Sequence, residues 1–142
     1  MEQTSKEILM KDLCARLPYN VICKVEFRES GEYKSKNMFL SGVFTDEAYF
    51  TTESGSIYSN EYKPYLFPLS SMTKEQQEEF DRIYIDDMRV IVDNITNRLE
   101  GKSYETNFGP YKYIDWLNEN HFDYRGLIPM ELAIDATGLN IY

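Results

Sequence analysis

The sequence predicts an α+β fold: an N-terminal helix, a small antiparallel sheet or partly open β-barrel, and then a helical C-terminal part. Three observations predict it. Apolar residues recur every three or four positions over residues 4–17, the period switches to two from Val21, and helical spacing returns from Thr73. With 142 residues, 42% hydrophobic and 15% aromatic, the chain suits one core and is too apolar for disorder. A single domain over 1–142 is expected, with a helix at about 4–17, a sheet at about 21–60, a proline/aromatic strap at 62–69 and a helical region at about 73–142.

Thr4-Ser5-Lys6-Glu7 has the form of a capping box, in which Thr4 accepts a free backbone N–H and Glu7 reaches back to the cap. Ile8, Leu9, Leu13 and Cys14 then share a face, with Leu17 one turn on. Pro18 ends the helix because it lacks an N–H and disfavours helical backbone at Leu17. Val21, Cys23, Val25 and Phe27 alternate with Ile22, Lys24, Glu26 and Arg28, as in a half-buried strand. A turn at Glu29-Ser30-Gly31-Glu32 follows, then strands at about 38–44, 47–52 and 56–59, with breaks at Thr45-Asp46 and Ser54-Gly55. Residues 62–69 hold Pro64 and Pro68, which remove two ladder donors. They read as an edge or crossing strap that lays Tyr65, Leu66 and Phe67 over the sheet, or as an exposed docking surface.

Thr73-Lys74-Glu75-Gln76 is a second capping box. Phe80, Tyr84, Met88, Ile91, Ile95 and Leu99 step by three or four towards Gly101, which fits one helix over 73–100. Ile83-Tyr84-Ile85 and Val90-Ile91-Val92 make that helix apolar on too many sides for a solitary surface helix. A break near Asp86-Asp87, or a strand over 89–93, is the alternative. After a loop through Asn107, Gly109 and Pro110, Asp115 is placed to cap a short helix through Trp116, Leu117 and His121, and Asp123 to cap a further turn.

Charge limits the partners. Lys and Arg number 15 against 24 Asp and Glu, a net charge of -9. That argues against broad attraction to nucleic acid or an anionic membrane, although Lys24, Arg28, Lys34 and Lys36 cluster on adjoining strands as a small basic patch. No uncharged run approaches the roughly 20 residues that span a bilayer, and no basic segment followed by an apolar one opens the chain. A soluble, cytoplasmic protein is expected. Cys14 and Cys23 match no zinc or redox spacing and read as small buried apolar residues.

The densest group of uncommon residues is 115–125, which holds the sole Trp and the sole His. His121 beside Asp123 or Asp115, with Arg125, forms the candidate catalytic set, because a general base must titrate near neutrality. The competing reading is a packed corner: Trp116, Leu117 and Phe122 inside, His121 hydrogen-bonded, Arg125 paired with Asp115 or Asp123. Asp81, Asp86, Asp87 and Asp93 with Glu75, Glu78 and Glu79 read as a solvated helix face, since no EF-hand loop accompanies them. No phosphate loop, dinucleotide fingerprint, nucleophile elbow or H-E-x-x-H occurs, so no metal ligand set or cofactor is expected. The 12 Tyr residues point instead to recognition, with Tyr62, Tyr65, Phe67, Trp116 and Tyr124 as candidate binding residues.

Residues 11–19 (KDLCARLPY), 63–73 (KPYLFPLSSMT) and 115–128 (DWLNENHFDYRGLI) together resemble a family of uncharacterised small proteins of gut Bacteroidetes and their phages and prophages. The resemblance runs from about residue 10 to the C-terminus. It departs at Phe67, where the family more often carries Arg, and over residues 80–112, which vary there. It implies a phage or mobile-element context and carries over no activity, cofactor or catalytic residue. The function expected is a non-enzymatic module that binds another protein. An acidic inhibitor filling a nucleic-acid-binding groove is the first alternative, and a small enzyme centred on His121 the second.

Overall fold

Ser30 and Gly31 both take left-handed backbone, φ 54° and 80°, and so close strand β1 (Ile22–Glu29) directly onto β2 (Glu32–Val43). Two positive φ values in a two-residue loop match the right-handed twist of the flanking strands. The computed structural model describes residues 2–44, 47–101 and 111–142, without the side chains of 2–4, 94 and 98. Thr45-Asp46 and the loop through Asn107, Gly109 and Pro110 lie outside the described residues. Two compact units are present, one of residues 1–71 with 121–142 and one of residues 72–120.

The first unit is an open mixed sheet with helix α1 (Glu2–Arg16). Strands β3 (Ala48–Thr52), β4 (Gly55–Ser59), β5 (Glu61–Pro68), β6 (Phe122–Asp123) and β7 (Ile134–Asp135) complete it, in the order β4-β3-β2-β1-β5-β6, with β7 also on β5. It is neither a barrel nor purely antiparallel, because β6 and β7 run parallel to β5. The helical C-terminal part is likewise corrected: after Asn120 the chain returns to this sheet as strands and turns. α1 is already helical at Glu2, so Thr4 is not its first boundary, and the Thr4 side chain lies outside the described residues. Pro18 ends α1 as expected, within a 3-10 turn over Leu17–Tyr19.

Residues 62–69 are not a strap over the sheet. Residues 62–68 belong to β5, which sits between β1 and the returning C-terminal strands, and Leu69 opens a 3-10 turn over Leu69–Ser71. The prolines are tolerated because the two pairings of β5 do not overlap. Residues 61–64 pair with β1, ending at Pro64 opposite Cys23, while 65–68 pair with β7 and β6 on the other side. Each stretch has the one-sided pairing of an edge, where a missing donor costs least.

Alternation then sorts the side chains. Cys23, Val25, Met38, Leu40, Ala48, Phe50 and Leu66 are buried on one face with Leu13 of α1 and with Leu127 and Ala133. Each such large aliphatic or aromatic side chain contributes about 1.5–3 kcal/mol when fully buried. The register also divides the basic patch. Lys24 lies opposite Asn37 and Arg28 opposite Tyr33, whereas Lys36 lies opposite Val25 and Lys34 opposite Phe27. Paired residues share a face, so Lys24 and Arg28 point to one side and Lys34 and Lys36 to the other.

The second unit pairs α2 (Lys74–Leu99) with α3 (Lys112–Glu119). α2 is one unbroken helix, without a break at Asp86-Asp87 or a strand over 89–93. Its N-terminus is the expected capping box: the Thr73 N–H donates to Gln76 Oε1 at 2.9 Å, and the Gln76 N–H to Thr73 Oγ1 at 3.1 Å. Gly101, with φ 73°, follows its last turn. α3 begins after Tyr111, not at Asp115, and Tyr111 offers no side-chain cap. Asp87 supplies it from α2, Oδ2 accepting the Tyr113 N–H at 2.8 Å. Phe80 packs on Tyr113 and Trp116, with ring centroids 6.2 and 5.7 Å away.

Candidate functional site

α1 brings Asp12 and Arg16 to its buried side, one turn apart, where the sequence places a Leu-rich face. Arg16 Nε donates to Asp12 Oδ2 at 2.6 Å and Nη2 to Oδ1 at 3.1 Å, and both side chains are fully buried. Arg16 Nη2 also donates to the Phe122 carbonyl at 2.6 Å, and Arg125 Nε lies 3.4 Å from Asp12 Oδ1. Both guanidinium groups stand over the Tyr124 ring, at 5.2 and 5.3 Å. This cluster gathers His121, Asp123 and Arg125 in one region. Asp115 belongs to α3 in the other unit.

Each of the three has its own local setting. Both Asp123 oxygens are engaged, Oδ1 by the Leu127 N–H and Oδ2 by the Ile128 N–H, each at 2.9 Å. Asp123 thus caps the turn that follows it, as the sequence allows. Arg125 pairs with Asp12 and not with Asp115 or Asp123. His121 has left-handed backbone, φ 62°, and its ring stacks on Tyr142 at 3.7 Å and 11°. Its Nδ1 is buried without a hydrogen-bond partner among the described residues. Burial, and then the Arg16 guanidinium, push the imidazole down to about 4. At neutral pH it is uncharged and a weak base, far from the range suited to general-base work.

The candidate binding aromatics are largely engaged within the protein. Tyr65 is buried and its hydroxyl donates to Asn37 Oδ1 at 2.8 Å. Tyr62 packs on Phe50 at 5.1 Å. Phe67 meets Phe122 and Tyr142 at 6.2 and 5.9 Å. Trp116 is buried beside Phe80, and Tyr124 lies under the two arginines. A groove of about 500 Å³ opens elsewhere, lined by Ile22, Lys36, Asn37, Phe39, Thr52 and Ser54, where Lys36 Nζ donates to Ser54 Oγ at 3.1 Å. Neither His121, Asp123 nor Arg125 lines it. Among the described residues, no group of three His, Cys, Asp or Glu is placed to hold a metal ion, and no helix is long and apolar enough to cross a membrane.

Exposed apolar surface concentrates on α2. Ile85, Val92, Ile95 and Leu99 are 56, 59, 53 and 83% exposed. The excess apolar character seen in the sequence is therefore real and is not buried by a helix break. Of the acidic residues on this helix, Glu75, Glu78, Glu79, Asp81, Asp86 and Asp93 are exposed, and Asp87 alone is buried as a cap. Comparison of the chain with protein-family models, curated proteins and solved structures finds no match.

Proposed function

We propose that this chain is a non-enzymatic protein-interaction module, associated with a phage or other mobile element, that docks through the apolar side of α2 from Ile85 to Leu99. The observation that carries the reading is the exposure of Ile85, Val92, Ile95 and Leu99 on one helix. Contiguous apolar surface of that kind marks interaction sites. The engaged state of Asp123 and the low basicity of His121 weigh against an enzyme centred there. The mobile-element association is supported by the resemblance of residues 11–19, 63–73 and 115–128.

The test is affinity capture from the native host with the wild-type chain, with Ile85→Asp/Ile95→Asp, and with Lys24→Ala as a sheet control. Proteins retained by wild type and control but lost from the α2 variant support the reading; identical captures by all three sink it. The exposed carboxylates of α2 favour one second reading, an acidic mimic in a basic groove. It predicts binding that collapses as salt is raised, whereas apolar docking resists salt.

A further inference from the structure

Ile85, Met88, Val92, Ile95 and Leu99 succeed one another at steps of three and four, the a and d spacing of a coiled-coil seam. They form a stripe about a quarter-turn round α2 from Phe80, Tyr84 and Asp87, which meet α3. Taking roughly 100 Å² for each half-exposed aliphatic side chain, the stripe offers about 400–500 Å² per copy, a large patch for a monomer. Two such stripes face to face, with the flanking Arg89 and Ile91, approach the roughly 1,000 Å² that a specific interface needs.

We infer that the stripe is covered by the same stripe of a second copy, the two α2 helices packing antiparallel about a two-fold axis near Val92. The inference rests on the reading of α2 as the docking face. The seam is uncharged and self-complementary, so a two-fold axis sets apolar against apolar. Orientation follows from lopsided charge. Residues 75–86 carry five carboxylates against Arg82, whereas 88–99 carry Arg89 and Arg98 against Asp93. Parallel packing lays the two acidic segments side by side. Antiparallel packing sends them to opposite ends of the pair and opposes the helix dipoles.

Sedimentation equilibrium of the full chain over two decades of concentration tests this. The mass is expected to rise from one chain to two. Val92→Asp is expected to weaken association at least tenfold with an unchanged far-UV circular dichroism spectrum, while Val90→Asp, on another side of the helix, retains it. In a Cys14→Ser background, Ile85→Cys and Leu99→Cys chains are expected to cross-link when mixed, and Ile85→Cys alone is not. Self-cross-linking of Ile85→Cys overturns the antiparallel arrangement, and a dimer that survives Val92→Asp overturns α2 as its interface. A wild-type chain that stays single throughout overturns the second-copy inference, and the host capture above then decides the docking face separately.

Discussion

Arg16 holds Asp12 at two points one helical turn back along α1, at 2.6 and 3.1 Å, with neither side chain reaching solvent. Breaking such a pair from one side leaves a buried charge that Arg125, at 3.4 Å, partly offsets. Arg16→Ala is expected to lower stability by about 3–5 kcal/mol, and Asp12→Leu/Arg16→Met to recover most of that loss. Urea unfolding of the three proteins decides it. A double variant no more stable than the single one means the arginine acts by packing and not by charge.

His121 makes stability depend on pH. Its imidazole titrates near 6.5 when unfolded and at about 4 when folded, so the unfolded chain binds the proton first. The stabilisation is complete above pH 6.5 and is lost as pH falls through 4. Unfolding midpoints for wild type and His121→Asn, which tolerates the left-handed backbone, are expected to converge across that window. Parallel pH profiles for the two would remove His121 as the cause.

Tyr142 ties the C-terminal segment to both β1 and β5. Its hydroxyl accepts the Ile22 N–H at 3.0 Å and donates to the Tyr65 carbonyl at 2.8 Å. Tyr142→Phe keeps the ring on His121 but removes both bonds, and a loss of about 1–2 kcal/mol is expected. Hydrogen exchange at the Ile22 amide should quicken with it; an unchanged rate there contradicts the contact.

The two thiols are expected to react differently. Cys14 is exposed on α1, contrary to the buried role its sequence suggests, because it falls just past Leu13 on the helix and faces solvent. Cys23 is fully buried, and that burial pushes its thiol well above the ordinary range. Iodoacetamide should add one label to the native chain and a second after unfolding, and mass spectrometry reads the count. Two labels on the native chain would contradict the packing around Cys23.

Local chemistry was legible. The Thr73–Gln76 reciprocal cap, the period-two strands and the Ser30-Gly31 turn all depend on neighbours a few residues apart, so they can be read from the chain directly. What was missed depends on partners far along it. Pro64 looked like an edge residue because each stretch of β5 is locally an edge, and only the return of residues 122–135 makes the strand central. Asp87 looked like one more solvated carboxylate, and the amide it caps, Tyr113, lies 26 positions on. Asp12 and Arg16 did leave a signal: opposite charges four apart on the side of α1 that carries Leu9 and Leu13. Helical spacing alone does not say that the pair goes inward.

The route of β5 has a consequence for how the chain matures. Phe67 donates its N–H to the His121 carbonyl at 2.8 Å, and Pro68 lies opposite Asp123, so the chain leaves the sheet and rejoins it at nearly one place. Residues 72–120 are topologically an insert in the first unit. A growing chain of 71 residues lacks Leu127 and Ala133 from its core and the Phe122 carbonyl from Arg16, so this unit closes only after the insert has been synthesised. Closing a loop of that length costs little more than closing a short one, because the entropy grows only with the logarithm of length. A short flexible bridge from Ser71 to His121 in place of the insert is expected to leave the sheet able to fold, with a cooperative urea transition as the check.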